Sequence, residues 1–204
     1  MLKINPDRIA IPLVIAVTGH RDLVPAEVPG IRERERELLK DLRTRYPERR
    51  LRVMSPLAEG ADRLVAEEAL AFGVELIVPL PMPRDVYIRD FQTEESVREF
   101  DRLCEAANEI LHLPLARRNT LEAIADYGPA RDLQYAQVGI FLCAHCHILL
   151  AIWDGKLTGD LGGTGQVVRF HHDDIMEGYT ERSTASQQML VDDESDLVYH
   201  IVCS

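Results

Sequence analysis

A glycine cluster between a buried strand and a helix is the feature of this chain that most constrains its fold. Residues 148–153 are apolar at consecutive positions, a pattern typical of a parallel strand that is covered on both faces. Asp154 and Gly155 end this run, and Gly162, Gly163, Thr164 and Gly165 precede a segment that can form a helix. Backbone N–H groups in such a loop can approach an anion, and the helix N-terminus adds a favourable field for phosphate. The loop predicts phosphate binding, although a flexible turn explains it equally well when it is considered alone.

A second loop of this kind follows the first predicted strand, residues 11–17. The loop consists of Thr18, Gly19, His20, Arg21 and Asp22. Gly19 allows close backbone approach, while Thr18 and Arg21 can donate to phosphate or carboxylate oxygens. A surface ion pair between Arg21 and Asp22 is the alternative for this loop alone. Its position relative to the glycine cluster favours ligand binding, and His20 is expected either to contact phosphate or to cap the loop.

A third loop follows the predicted strand 51–57 and precedes a predicted helix at 63–72. Asp62 stands where that helix begins, so it can act as an N-cap or first-turn acid, a role typically worth ~1 kcal/mol. The functional alternative is that Glu59 or Asp62 accepts a ribose hydroxyl beside the phosphate loops.

The order of the remaining elements indicates the fold class. Predicted strands at 74–80 and 109–115 alternate with predicted helices at 29–46, 93–108 and 129–144, and residues 116–128 form a loop or lid. Alternation of this kind predicts right-handed βαβ units and an α/β fold with a doubly wound, mainly parallel sheet and helices on both faces. Ligands bind beyond the carboxyl ends of the strands in such sheets, which is where all three loops fall.

Chain length and composition limit the number of domains and the kinds of partner that we expect. A chain of 204 residues is long enough for one domain. We expect its core at about 11–170, a polar loop or tail at 171–197 and a last strand at 198–203. The chain is either such a domain or a piece of a longer protein. The net charge of −11 argues against nucleic acid as a partner. No apolar run is long enough to cross a bilayer and no signal peptide is evident, so a cytoplasmic location is expected without a membrane partner.

Several common sites are not predicted. Cys143, His145, Cys146 and His147 lie within five residues and would point in different directions, so we expect no metal site, although His171, His172 and Asp173 offer the second half of one. The sequence has no P-loop and no GxSxG elbow, and the glycine cluster lacks the last glycine of a dinucleotide fingerprint. No cofactor is expected.

The three loops, in this order, resemble those of the SLOG superfamily, the Rossmann-like group that includes the Lonely guy phosphoribohydrolases and DNA-processing protein A. The similarity covers about residues 11–170. The matching residues are Val17, Thr18, Gly19, His20 and Arg21; Ser55, Glu59, Gly60, Ala61 and Asp62; and Trp153, Asp154, Gly155, Gly162, Gly163, Thr164 and Gly165. The resemblance implies a nucleotide pocket, with phosphate held by residues 162–165 and with Gly19 and Arg21 on the facing wall.

One departure from the family pattern concerns catalysis. The Lonely guy enzymes carry PGGxGTxxE, whose glutamate does acid/base work. Here Leu161 replaces the proline, Gln166 the threonine and Arg169 the glutamate. Members of the superfamily also look like ligand sensors joined to effector domains in prokaryotic defence and signalling systems, and a lost glutamate fits that role.

These observations lead to three hypotheses. The first is a sensor domain that binds a nucleotide-derived molecule, has no catalytic residues and is coupled to a fused effector domain or to a second subunit of a homo-oligomer. The alternative is a phosphoribohydrolase-like N-glycosidase that uses Glu59, Asp62 or Asp154. DNA binding, like that of the DNA-processing protein, ranks last because of the acidic charge.

Overall fold

The computed structural model describes residues 11–157, 159–180 and 197–204. The strands are β1 (Leu13–Gly19), β2 (Leu51–Met54), β3 (Glu75–Leu80), β4 (Glu109–His112), β5 (Ile148–Trp153) and β6 (Leu197–Val202). The helices are α1 (Val28–Arg45), α2 (Ala61–Ala71), α3 (Arg84–Tyr87), α4 (Glu94–Ala106), α5 (Pro129–His145) and α6 (Thr164–Asp173), and a short 3-10 turn (Ile88–Asp90) follows α3.

The strands form one sheet in the order β4-β3-β2-β1-β5-β6, and every neighbouring pair within the described ranges is parallel. Strand order runs outward in one direction from β1 to β4 and in the other from β5 to β6. The carboxyl ends of β1 and β5 therefore flank a topological switch point, where doubly wound sheets bind ligands. The predicted α/β, Rossmann-like, doubly wound fold is confirmed.

The two faces of the sheet carry separate apolar cores. Alternate residues of β1 face opposite sides, so that Ile15 and Val17 join the core under α1, α2 and α4. Ala16 faces the other side and packs with residues of α5 and α6, including Leu142 and Val167. Helices therefore cover both faces, as predicted.

Several element limits differ from the predictions for local reasons. β1 continues to Gly19, which pairs with Ile152, so the loop predicted to begin at Thr18 begins at His20. β2 ends at Met54 because a turn follows, in which the Ser55 hydroxyl accepts from the Leu57 amide at 3.2 Å. β4 ends at His112, two residues before Pro114.

Other local predictions agree with the structure or fall outside it. Thr93 caps α4 as predicted, because its Oγ1 accepts from the Ser96 amide at 3.1 Å. The helix α6 takes up the first residues of the predicted polar tail, and residues 181–196 of that tail lie outside the described residues. The predicted last strand lies at Leu197–Val202. No helix of the described residues is long and apolar enough to span a membrane.

Candidate functional site

The three predicted loops surround one cleft of about 470 Å³, which we call the loop cleft. It lies over the carboxyl ends of β1, β2 and β5. Its lining includes the end of β1 and its loop (Thr18, Gly19, His20 and Arg21), Ala58 and Asp62 before and in α2, Tyr135 and Gly139 of α5, and the turn from Gly162 to Gly165. Residues far apart in sequence thus meet at the switch point of the sheet.

The glycine turn presents the first turn of α6 to the cleft. Gly162 has φ +78°, and a Cβ atom there would lie 2.6 Å from the Ala136 backbone nitrogen, so only glycine fits. The amides of Gly162 and Gly163 already donate, to Gln166 Oε1 at 3.1 Å and to Asp160 O at 2.9 Å. The first helical amides, those of Thr164, Gly165 and Gln166, have no intrahelical acceptor. They are the donors that the turn offers to an anion.

Two side-chain contacts tie the β1 loop to the β5 loop. Thr18 Oγ1 donates to Thr164 Oγ1 at 3.4 Å. The Asp154 amide donates to His20 Nε2 at 3.1 Å, which requires that ring nitrogen to be unprotonated. His20 therefore joins the two loops and leaves its other ring nitrogen as the donor.

Asp154 supports the loop beside the cleft. Its carboxylate accepts from the Lys156 amide at 2.9 Å and from Lys156 Nζ at 2.8 Å. These bonds from Lys156 lower the pKa of Asp154 to about 2. The carboxylate stays ionised and paired, while Lys156 itself lines the cleft.

The β2 loop places its predicted residues in different surroundings. Ser55 is fully buried and donates to the Asp62 carbonyl at 2.9 Å. Gly60 packs beneath the β1 loop with φ +82°. Glu59 accepts from the Gln92 amide at 3.0 Å and from the Ser96 hydroxyl, so it braces the start of α4. Of the four residues predicted here, Asp62 lines the loop cleft and the other three do not.

Asp62 is a buried acid in the wall of the cleft. Its side chain is 5% exposed, and Oδ2 accepts from the Ala58 amide at 3.2 Å. Burial raises the pKa of Asp62 to about 7, against the opposing effects of the Ala58 bond, Arg21 and Arg63. The cleft therefore contains a carboxyl group that is largely protonated below neutral pH.

The sequence analysis did not predict that residues around α3 and α5 form one wall of the loop cleft. Arg131 and Asp90 form an ion pair at 2.6 Å in which both side chains are almost fully buried. The Tyr135 hydroxyl donates to Asp90, and Arg21 lies over the Tyr135 ring at 5.4 Å from its centroid. Asp90 and Arg131 are 41 residues apart, and no local motif marks either one.

A second cleft of about 550 Å³ adjoins the first and shares Arg21 with it. Apart from Arg21, its cations are matched by carboxylates: Arg63 pairs with Glu99 at 2.8 Å, and Arg98 with Glu95 at 2.5 Å. It is larger, but these charges are paired, and it lacks the glycine turn. The loop cleft is therefore the better candidate site. Among the described residues, His, Cys, Asp and Glu side chains form no group of three that could hold a metal ion.

No protein-family model matches the chain, and no curated protein matches it. Several solved structures are similar. DNA processing protein A from Streptococcus pneumoniae matches with 17% identity and a TM-score of 0.45, over 69% of this chain and 41% of that one. The same protein from Helicobacter pylori, described by its single-stranded DNA binding mode, matches with 17% identity and a TM-score of 0.47, over 79% and 61%. The protein TM1055 matches with 12% identity and a TM-score of 0.38, over 69% and 60%.

These matches bear on two predictions. The chain spans between 41% and 61% of the length of these structures, so they concern the fold and not a whole protein's activity. The exclusion of nucleic acid, drawn from the acidic charge, is wrong, because one matched protein is described by the way it binds single-stranded DNA. The strand order shows the Rossmann-like fold that the resemblance implies, and DNA processing protein A, a member of the superfamily that the three loops resemble, is among the matched structures.

Proposed function

We propose that this domain binds a nucleotide or nucleotide-derived signalling molecule in the loop cleft. The observation that carries the proposal is the convergence of all three loops on one cleft at the switch point between β1 and β5. In this proposal phosphate lies against the first turn of α6, where N–H groups and the helix dipole favour an anion. Arg21 and Lys156 supply the cations that line the same cleft.

A sensor role is supported by the position that the family glutamate would occupy. Arg169 stands there on α6, and its guanidinium faces Asp173 at 3.5 Å and Glu177 at 3.3 Å. Arg169 does not line the loop cleft. In our proposal, ligand binding in the cleft changes the activity of a fused effector domain or of another subunit. The chain is a single domain, and it acts in the cytoplasm.

A thermal-shift panel tests the proposal. The panel contains nucleoside mono-, di- and triphosphates, ADP-ribose, cyclic ADP-ribose, cyclic dinucleotides and a short single-stranded DNA. A ligand at a hundred times its Kd adds about 2.7 kcal/mol, which raises the midpoint of a domain of this size by about 5–10 °C. No shift with any member, in a folded sample, contradicts the proposal.

Variants locate the binding in the loop cleft. Gly163→Asp puts a carboxylate beside the first turn of α6 and should abolish the shift. Gly163→Ala places a methyl group 3.1 Å from the Asp160 carbonyl oxygen in an ordinary backbone conformation (φ −71°), so it tests the same steric change without the charge and should largely keep the shift. Arg21→Ala should reduce the shift. Arg45→Ala, on the exposed end of α1, is the matched control and should leave it unchanged.

A second candidate, an N-glycosidase, is supported by Asp62. Among Glu59, Asp62 and Asp154, Asp62 alone lines the loop cleft, and its raised pKa of about 7 suits proton transfer near neutral pH. Release of free base from a nucleoside monophosphate, lost in Asp62→Asn, supports this activity. Binding without release of base leaves the sensor proposal standing alone.

A further inference from the structure

We propose that the ligand of the loop cleft is a ribonucleotide with a 5′-phosphate, whose sugar hydroxyls donate to Asp132 and whose base stacks on Tyr127. The inference rests on the proposed function, because it takes the first turn of α6 as the phosphate site. It goes further, since it names a class of ligand and two residues that select it. Both residues lie at the start of α5, outside the three loops predicted from the sequence.

Tyr127 is the aromatic side chain of the cleft that is open to a ligand. Three tyrosines and Trp153 line the loop cleft. Tyr87 and Trp153 are buried. Tyr135 is covered by Arg21, whose guanidinium lies 5.4 Å from the centre of the Tyr135 ring. Tyr127 is 78% exposed, so its ring is accessible to a planar base.

The Tyr127 ring is also held in position at the rim of the cleft. Its hydroxyl donates to the Arg89 carbonyl at 3.4 Å, and the Arg131 guanidinium lies 5.4 Å from the centre of the ring. Arg131 is itself fixed by its buried ion pair with Asp90. A ring that is ordered before the ligand arrives loses less entropy on binding, and bases of every kind gain affinity by stacking on such a ring.

Asp132 is an unused acceptor on the same wall of the cleft. It lies in the first turn of α5 and lines the loop cleft, and its side chain makes no hydrogen bond or ion pair among the described residues. The three other aspartates of the cleft are placed differently: Asp90 is held in an ion pair, Asp62 is almost fully buried and Asp160 lies beside the glycine turn itself. Asp132 therefore takes the sugar-binding role that the sequence analysis gave to Glu59 or Asp62.

Helix α5 sets the distances between the parts of the ligand. Gly162 packs against α5 at Ala136, where a Cβ atom on Gly162 would lie 2.6 Å from the Ala136 nitrogen. Asp132 stands four residues earlier, which is about 6 Å along the helix axis. The helix begins at Pro129, about 10 Å from Ala136 along the axis, and Tyr127 stands just before it.

A 5′-nucleotide matches this arrangement in order and in scale. Five covalent bonds separate its phosphorus from the 3′-hydroxyl oxygen, a reach of up to roughly 6 Å. The base is attached one bond farther on and extends beyond the sugar. Phosphate at the glycine turn, sugar beside Asp132 and base over Tyr127 thus follow one another along α5. The cleft volume of about 470 Å³ is typical of small-molecule sites.

The contact with Asp132 predicts selection for ribose. A ribonucleotide offers two adjacent hydroxyl donors to the carboxylate, whereas its 2′-deoxy analogue offers one. Loss of one hydrogen bond to a charged group weakens binding by about 10-fold. The proposed site should therefore distinguish the two sugars.

Calorimetric titrations with AMP, GMP, CMP and UMP test the inference, and the nucleotide that binds most tightly is then compared with its 2′-deoxy analogue. We expect the deoxy analogue to bind about 10-fold more weakly. Asp132→Ala should weaken the ribonucleotide and remove the difference between the two sugars. Glu122→Ala, an exposed acid of the preceding segment, is the matched control and should keep that difference.

A second variant tests the base contact. Tyr127→Leu removes the ring and should weaken the nucleotide by about 10-fold. The affinity of ribose 5-phosphate, which has no base and is measured by competition, should change by less than about 2-fold. Tyr127→Phe keeps the ring and should restore nucleotide binding. Leu121→Ala, exposed in the same segment, is the matched control and should change neither affinity.

The outcomes distinguish this inference from the proposed function. Equal affinities for the two sugars, or a difference that persists in Asp132→Ala, overturn the sugar contact. An unchanged nucleotide affinity in Tyr127→Leu overturns the base contact. If none of the four monophosphates binds, but another member of the thermal-shift panel does, the inference is wrong and the proposed function stands. Absence of binding by the whole panel overturns both.

Discussion

Glu35 is a buried carboxyl group between α1 and α2. It is 1% exposed, and neither of its carboxylate oxygens has a hydrogen-bond partner among the described residues. Burial, together with the nearby charge of Glu68, raises the pKa of Glu35 to about 8, although Arg32 and Arg36 act in the opposite direction. The neighbouring arginines do not neutralise it, because both are bonded to Glu68.

We predict that Glu35 makes stability depend on pH. Its pKa in the folded state lies above that of the unfolded chain, so its contribution is fully present below about pH 4.5 and is lost as pH rises through about 8. Glu35→Gln should remove this loss, which amounts to a few kcal/mol. Urea unfolding at several pH values measures it, and Glu33→Gln, an exposed change on the same helix, is the control. Identical pH profiles for Glu35→Gln and the unchanged protein would contradict the prediction.

The ion pair between Arg131 and Asp90 should be worth far more to the fold than the surface pairs. Arg131→Met leaves Asp90 as a buried charge and also removes bonds to the Ile124 and Val86 carbonyls, at 2.6 and 2.8 Å. Loss of one partner of a buried pair costs about 3–5 kcal/mol. Arg45→Met breaks an exposed pair with Asp41 and should cost at most about 1 kcal/mol. Denaturant midpoints compare the two variants, and equal losses of stability would contradict the prediction.

Single residues show where sequence reasoning reaches its limit. Glu59 and Asp62 stand three apart in one loop and look equivalent as candidate acids. Glu59 turns toward the start of α4, whereas Asp62 enters the loop cleft, because α2 begins at Ala61 and fixes the direction of its first-turn side chains. Tyr87 lies in a segment without a motif and reaches the site through tertiary packing, against Phe91, Phe100 of α4 and Tyr135 of α5.

At the scale of elements, Gly60 joins two loops through backbone contact. Its φ is +82°, and a Cβ atom would lie 2.1 Å from the Arg21 carbonyl oxygen. The Ala61 amide also donates to the His20 carbonyl at 3.0 Å. The loops after β1 and β2 are therefore held together with no side chain between them.

We predict that Gly60→Ala separates these loops. The strained backbone and the clash should cost at least about 2–3 kcal/mol and weaken ligand binding in the loop cleft. Gly30→Ala is the matched change, since a Cβ atom there meets nothing within 4 Å, and inside a helix it should stabilise the domain by about 0.5–1 kcal/mol. Thermal midpoints of both variants test the contrast. Equal effects of the two changes would show that the contact is not important.

The presence of each helix and strand was easier to predict than the residues at which it begins and ends. The apolar run of β5 coincides with the strand, since residues 148–153 are buried at every position. The end of β1 was misplaced because Thr18 and Gly19 look like loop residues in the sequence, whereas pairing with β5 keeps them in the strand. Pairing across the sheet is a tertiary constraint, and no local pattern at Gly19 reports it.

At the scale of the whole molecule, the net charge describes the entire chain and not any single site. The formal charge of −11 is a sum over the entire chain, and it suggested that nucleic acid should be excluded. Many acidic side chains are already paired on helix surfaces, such as Glu67 and Glu68 with Arg32. The loop cleft presents Arg21, Lys156 and helix N–H groups beside Asp62, Asp90, Asp132 and Asp160, so its charge has to be counted residue by residue.

The fold also depends on contacts between distant parts of the chain, and the last strand is the clearest case. β6 pairs only with β5 in the described sheet, yet Ile201 is fully buried and joins the same core as β1, β2 and β3. Its neighbour Val202 is 61% exposed. One face of the edge strand therefore packs into this core through Ile201, whereas Val202 on the other face is mostly exposed.

We predict that Ile201→Ala destabilises the whole domain by about 2–5 kcal/mol, through lost burial and the cavity that it leaves. Val202→Ala changes a similar side chain one position away, and it should cost less than about 0.5 kcal/mol because that side chain is mostly exposed. Urea unfolding followed by both Trp153 fluorescence, beside β6, and helical circular dichroism measures the effect. Coincident transitions at a lower midpoint in Ile201→Ala indicate that β6 belongs to the cooperative unit. An early loss of the Trp153 signal alone would instead show that the edge strand detaches before the sheet unfolds.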